Sequence, residues 1–377
     1  MFPERWNVEI CDVTLRDGEQ TPGISFTCDE KMKIAGMLDQ VGVDVIEAGF
    51  PTVSPEEKRC VTAISRMDLD ARICCLARAR PEDVEAAAAA EVDMVSLFIA
   101  TSDLHIKHKY KKPREVVLAG ALDMIDLARD HGLAVRFAAE DASRTDPAFL
   151  KEVYRAGGDH GADLVSFADT VGCLTPLEMY AVMSDLCSTV SVPLCAHCHN
   201  DMGCATANTI TAAAAGAFQL HTTVNGIGER AGNASLEEVL VLLNLKGGVV
   251  RYDLSHLGEL SAQVSTSSGL PVPRNKPVVG DLVFSHESGI HIAAMLEDPA
   301  TYEYLPPALV GRERQFILGK HSGTKALRYI TASLGHPLTD PQIARMLTLI
   351  KERSEHKCSI TPTVLKELIH LVEEGRG

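Results

Sequence analysis

Eight short apolar runs, most of them followed by a stretch long enough for a helix, fill the first two-thirds of the chain. That rhythm limits the folds open to it. The runs cover residues 8–15, 44–50, 72–78, 94–100, 134–140, 164–170, 193–199 and 219–226. Helix-length stretches lie between them, among them 29–41, 81–90, 114–131 and 176–188. "SPEE" from Ser54 and "TPLE" from Thr175 each offer a cap, a proline at the first helical position and an acid in the first turn. Strands that return through a helix are parallel to one another. Eight such units predict an α/β fold of the (β/α)8 TIM-barrel type. An open doubly wound sheet would bring a glycine-rich phosphate loop after its first strand. "TLRDGEQTPG" is not of the GxGxxG form.

After about Gly247 the rhythm fails. "SGLPVPRNKPVVGD" (268–281) reads as extended chain, and helical stretches return at 325–334, 340–355 and 363–374. The expected division is a catalytic barrel over 1–250, a linker over 251–285 and a small, mostly helical C-terminal region over 286–377. An apolar content of 46% supports a full core. The net charge of −15 argues against nucleic acid, which is bound by neutralising phosphates. No run reaches the roughly 18 apolar residues of a membrane span. "MFPERWNVEI" lacks the basic-then-apolar order of a secretory leader. Eleven cysteines are spread from Cys11 to Cys358 without the density of a disulfide scaffold, so a reducing cytoplasm is expected. Cys195 and Cys198, three apart on a strand, point to opposite faces and make no dithiol site. Cys74, Cys75 and Cys195 read as core fillers.

In such a barrel the chemistry sits at the C-terminal ends of the strands. The unusual polar residues fall there. Strand one runs into Arg16, Asp17, Glu19 and Gln20, and strand two carries Glu47. Strand five ends at Glu140 and Asp141, with Arg136 on the face of Glu140. Strand six ends at Asp169 and Thr170, and strand eight leads through "NGIGERAGN" to Asn233. His197 and His199 share the inner face of strand seven. Two imidazoles and a carboxylate make a divalent-metal site with open positions. Asp17 supplies that carboxylate if strand one closes beside strand eight. A plain hydrogen-bonding role suits an isolated histidine better than a pair facing an "RDG" turn. Arg16 suits a bound carboxylate or a growing oxyanion, against the plainer alternative of a solvated salt bridge. Glu140 is either a site acid or the neighbour of a helix cap.

"DVTLRDGEQTPG", "HCHNDMGCATANT", "NGIGERAGNASLEE", "HESGIH" and "LGKHSG" together resemble the acyl-CoA Claisen-condensing family of 2-isopropylmalate, citramalate and homocitrate synthases. The resemblance runs from Ile10 to Gly323. It implies acetyl-CoA as co-substrate, a small 2-oxo acid as partner, and Mg, Mn or Zn as metal. Asp17, His197, His199 and Asn233 match the family's metal ligands. Arg16 and Gln20 match residues around the oxo acid, and Thr170 matches the residue holding its carboxylate. Glu140 matches an acid implicated in catalysis. His291 in "SGIH" matches a histidine that helps the base step, and Tyr302 in "TYE" a tyrosine close to the site. In the family these last two reach the partner's barrel, which implies a swapped homodimer.

Three features bear on the oxo acid. Only 54 residues follow "LGKHSG", too few for the regulatory domain of typical bacterial isopropylmalate synthases. "LRDGEQ" differs from the "LREGEQ" of lysine-pathway homocitrate synthases. Arg136 matches an arginine that grips the distal carboxylate of 2-oxoglutarate in those enzymes. Ala138, Leu76 and "CLARAR" point instead toward the isopropylmalate branch. The expectation is a single-barrel homocitrate synthase, with 2-isopropylmalate and citramalate synthase as alternatives. Related lyases and carboxyl-transfer domains share the barrel and the HxH pair but not the "HESGIH…TYE…LGKHSG" region. A non-catalytic metal-binding barrel would not need Arg16, Glu140 and His291 together.

Overall fold

The computed structural model describes residues 6–356 and 359–375, and these divide into two compact units at Val272/Pro273. The start of the N-terminus read for a leader (1–5) and Cys358 lie outside the described residues.

In the first unit eight parallel strands close into a barrel, in chain order. They are β1 (Glu9–Asp12), β2 (Val45–Glu47), β3 (Arg72–Arg78), β4 (Met94–Ala100), β5 (Ala134–Glu140), β6 (Leu164–Asp169), β7 (Leu194–Cys198) and β8 (Gln219–Thr222). Closure pairs β1 with β8 from Glu9↔Gln219 to Asp12↔Thr222. The helices that cover it are α1 (Cys28–Val41), α2 (Pro55–Ser65), α3 (Pro81–Ala89), α4 (Asp103–His105), α5 (Arg114–Asp130), α6 (Pro147–Asp159), α7 (Pro176–Thr189), α8 (Ala205–Ala214), α9 (Leu236–Gly247) and α10 (Leu257–Ser268).

The starts follow local chemistry. Ser54 and Thr175 accept the backbone N–H groups of Glu57 and Glu178, with Pro55 and Pro176 at the first helical positions. Such caps contribute about 1 kcal/mol each. β3, β4 and β5 have the expected limits, whereas β1 and β8 stop short. After Asp12 the N–H groups of Arg16, Asp17 and Gly18 all donate to the Val13 carbonyl, and that turn lifts Arg16 and Asp17 over the barrel mouth.

The inner face is layered. Cys11, Val13, Val45, Cys74, Met94, Leu164 and Cys195 form an apolar cluster in the barrel. Among them the interior also carries buried polar residues: Glu47, Ser96, Arg136, Ser166, Gln219 and His221.

One expectation is corrected here. Residues 251–285 are not one extended linker, because α10 packs against α1 within the first unit. Its "SAQVSTSS" tail is poor in strong helix formers, and packing of buried Leu257, Leu260 and Val264 decides the outcome.

The second unit begins with turns and a short parallel pair, β9 (Ser285–His286) and β10 (Gln315–Phe316), with α11 (Gly289–Met295) between them. It ends in α12 (Thr324–Ser333), α13 (Asp340–Glu355) and α14 (Pro362–Glu373). These three share a core that includes Leu327, Ile343, Met346, Ile350, Leu368 and Ile369. Each such side chain contributes roughly 1.5–3 kcal/mol by leaving water. Among the described residues no helix is long and apolar enough to cross a membrane.

Candidate active site and metal centre

A cavity of about 380 Å³ opens at the barrel mouth. Arg16, Asp17, Gln20, Arg136, Glu140, Thr170, His197 and His199 all line it. The barrel thus brings together eight of the eleven expected site residues, drawn from four strands or the turns that follow them. Asn233 joins them through its amide, which donates to Asp17 Oδ1 at 2.9 Å.

His197 lies in β7 and His199 just beyond it, in a bridge to Asn233. Cys198 between them turns outward to Thr209 of α8. The two Nε2 atoms are 3.2 Å apart. Asp17 Oδ2 is 3.4 Å from His197 Nε2 and 3.9 Å from His199 Nε2. Among the described residues these three form the one cluster of His, Cys, Asp or Glu whose donor atoms lie within 4.8 Å of one another. The spacing fits an ion: two nitrogens at right angles on a cation, each about 2.1 Å from it, sit about 3.0 Å apart. Asn233 Oδ1 is buried without a partner among the described residues. Its amide nitrogen is fixed by Asp17 Oδ1 and the Ile227 carbonyl, so the unpaired atom is an oxygen acceptor. A buried acceptor left unpaired is costly, and a cation would satisfy it. Gly228 makes room for this arrangement. A Cβ there would collide with Asn233 Nδ2 and come within 2.9 Å of Asp17 Oδ1.

The charges are ordered around Glu47, which is fully buried. Its carboxylate pairs with Arg16 Nε through one oxygen and Arg136 Nη2 through the other. Burial works to raise its pKa, but the two guanidiniums overcome it and hold the group below the usual carboxylate range. Asp17 behaves alike. Burial opposes its charge, yet Arg16, whose Nη1 lies 2.8 Å away, and the two histidines hold it well below that range. His199 is pushed down to about 4 by burial and then by His197. His221 is held well below its ordinary value by burial and then by Arg136. A neutral imidazole is the form that ligates metal.

Arg136, expected at a substrate carboxylate, lines the cavity and shares Glu47 with Arg16. Nη1 donates to Gln219 Oε1 at 3.0 Å and Nε to Ser96 Oγ at 3.2 Å. It forms part of the cavity floor with Ser96 and Ser166, while Leu76, Phe98, Ala138 and Ala168 supply apolar wall.

Glu140 accepts from Lys109 Nζ with both oxygens at 2.7 Å. Thr170 Oγ1 accepts from the Asp141 N–H at 2.8 Å, and its carbonyl accepts from Arg230 at 2.6 Å. Gln20 accepts from Arg16 at 3.3 Å. His291 and Tyr302 belong to the second unit, where their rings stack at 4.0 Å between centroids, both exposed. The sequence reading gave no role to Glu47, Lys109, His221 or Arg230. Alternation along β2 and β8 places Glu47 and His221 inside, Lys109 follows the end of β4 and Arg230 follows that of β8, so each had a signal.

A model described as HMGL-like matches residues 7–264, and one described as homocitrate synthase post-HMGL domain-like matches 278–358. The chain belongs to the HMGL-like family. "Homocitrate synthase AksA" of Methanosarcina mazei is 50% identical over 98% of this chain and 91% of its own. "Probable 2-isopropylmalate synthase" of Methanopyrus kandleri is 48% identical over 93% of this chain and 70% of its own. "(R)-citramalate synthase CimA" of Methanocaldococcus jannaschii is 46% identical over 92% and 70%. This HMGL-like protein is therefore an enzyme of the acyltransferase-type synthases. The solved HMG-CoA lyase of Bacillus subtilis shares its fold, with a TM-score of 0.65 and 20% identity over 72% of this chain and 96% of the lyase.

Proposed function

We propose that this synthase condenses acetyl-CoA with 2-oxoglutarate, hydrolysing the thioester to give homocitrate and CoA. The observation that carries the choice of substrate is the 50% identity, over 98% of the chain, to a protein named homocitrate synthase. The polar floor of Ser96, Arg136 and Ser166 supports it, since a distal carboxylate needs polar partners and an isopropyl group does not.

Asp17, His197, His199 and Asn233 would hold the divalent cation, and their mixed nitrogen and oxygen donors suit Mg, Mn or Zn. Bound there, the ion supplies Lewis-acid polarisation of the keto group. The protein's own residues do the rest. Arg16, fixed by Glu47 and Asp17, faces the cavity as a preorganised cation for the oxygen charge that grows during attack. Gln20 and Thr170 orient the oxo acid. The methyl proton of acetyl-CoA goes to Glu140, to His291, or to the two acting as a pair. His291 and Tyr302 act in the barrel of a second copy, making the working unit a homodimer. Loss of CoA then makes the sequence of steps irreversible.

A panel of 2-oxoglutarate, 2-oxoisovalerate, pyruvate and 2-oxoadipate with acetyl-CoA, followed by free thiol, tests the substrate. The highest kcat/KM is expected for 2-oxoglutarate. A clear win for 2-oxoisovalerate, which the apolar wall of Leu76, Phe98, Ala138 and Ala168 would suit, makes the enzyme a 2-isopropylmalate synthase. Mixing inactive Glu140→Gln and His291→Ala proteins under subunit exchange tests the dimer. Activity that neither parent shows is expected, and a mixture as inactive as its parents removes the shared site.

A further inference from the structure

His197 and His199 offer the same atom to the metal centre, but their other ring nitrogens differ. His199 Nδ1 is buried without a partner among the described residues. His197 Nδ1 lies 3.3 Å from Nδ1 of His221, a buried residue of β8. On its far side, His221 Nε2 lies 3.2 Å from Gln219 Oε1. That oxygen already accepts from Arg136 Nη1 at 3.0 Å. The Gln219 amide is turned the same way from its other end, where Nε2 donates to Glu9 Oε2 at 3.2 Å. Glu9 is itself paired with Arg72 at 2.5 Å.

On the side away from the metal centre these contacts leave one consistent set of protons. A carboxylate only accepts, so Gln219 turns its N–H toward Glu9 and its carbonyl toward Arg136 and His221. A carbonyl only accepts, so His221 Nε2 carries the hydrogen. His221 Nδ1 is then a lone pair. His197 Nδ1 must donate to it, and in the neutral ring its Nε2 then faces Asp17 and His199 as the lone pair that a cation needs.

We infer that Glu9, Gln219 and His221 are positioning residues: a relay across the closing seam of the barrel that fixes the ligating tautomer of His197. The inference rests on the metal centre proposed above. A metal-bound imidazole usually donates its second N–H to a carboxylate, carbonyl or water. Here a second imidazole takes that place, itself oriented by an amide. The relay touches neither oxo acid nor thioester and acts only through His197.

The full-length, metal-free protein labelled with 15N in its histidine rings tests this. Long-range proton–nitrogen correlation, assigned against His197→Gln and His221→Asn, should report His197 as the Nδ1–H form and His221 as the Nε2–H form. Co(II) affinity, read by competition with a chromophoric chelator, is the second measurement. His221→Phe keeps a flat ring but removes the acceptor, and should weaken binding on the order of 10–100-fold. His221→Asn puts a carbonyl oxygen near the Nδ1 position and should recover most of that loss. A merely structural role would not be rescued in this order and would not set the tautomer. His197 found as the Nε2–H form, or equal Co(II) affinity in wild type and His221→Phe, overturns the relay while leaving the metal centre standing. If wild type binds no Co(II), both fall. Should His221→Phe fail to fold, the wild-type spectrum and the affinity of His221→Asn decide.

Discussion

Glu47 and Asp12 sit on neighbouring strands of the same barrel wall, and both are fully buried, yet their charges meet opposite fates. Glu47 faces inward between two guanidiniums and is held below the usual carboxylate range. Asp12 faces outward, and burial, reinforced by Glu237 and only partly offset by hydrogen bonding to Thr14, pushes it up to about 7. One of its oxygens accepts from Thr14, while the other has no partner among the described residues. Burial alone therefore does not set the charge of a carboxylate here. What decides is whether the fold delivers a counter-charge to that side of the wall. At these two positions the inner side keeps a charge in place and the outer side opposes it.

If inner charges exist to serve a bound cation, exhaustive chelation should reduce thiol release to background. Added Mg, Mn or Zn should restore it. Full activity after chelation would break the contrast at its root. The next effect is on stability. Arg136→Met takes away one of Glu47's two cations and makes the inside resemble the outside. A loss of about 3–5 kcal/mol in urea unfolding is expected, the usual cost of a buried ion left without its partner. A loss below about 1 kcal/mol would mean that Arg16 alone suffices for Glu47.

The smallest effect concerns Asp12. Its folded pKa of about 7 lies above the unfolded value of about 3.9, so its ionisation opposes folding. Stability is undiminished below about pH 4, falls as the pH rises toward 7, and changes little further above that. Asp12→Asn removes the penalty. Its Tm should exceed that of wild type at pH 8, by roughly 2–4 °C for each kcal/mol recovered, and match it near pH 4. An equal shift at both pH values would assign the effect to packing rather than to charge.

Much of the fold was legible because it is local. Apolar runs of period two, proline-started helices and caps at Ser54 and Thr175 each depend on a few adjacent residues. β3, β4 and β5 accordingly have the limits that the sequence suggests. α10 did not show itself, because its stability comes from packing on α1 rather than from propensity. In the site, the shared face of His197 and His199 follows from their spacing alone.

What the chain determined by itself was the kind of barrel it makes and which side chains point into it, since strand alternation and helix punctuation are properties of neighbours in sequence. Closing the barrel decided the rest. It placed Glu47 between Arg16 and Arg136, set Lys109 on Glu140, and laid Gln219 and His221 behind His197. Electrostatic and hydrogen-bond energies depend on distance in space, and Arg16, Arg136 and His197 meet partners 24 to 89 positions away only when the strands assemble.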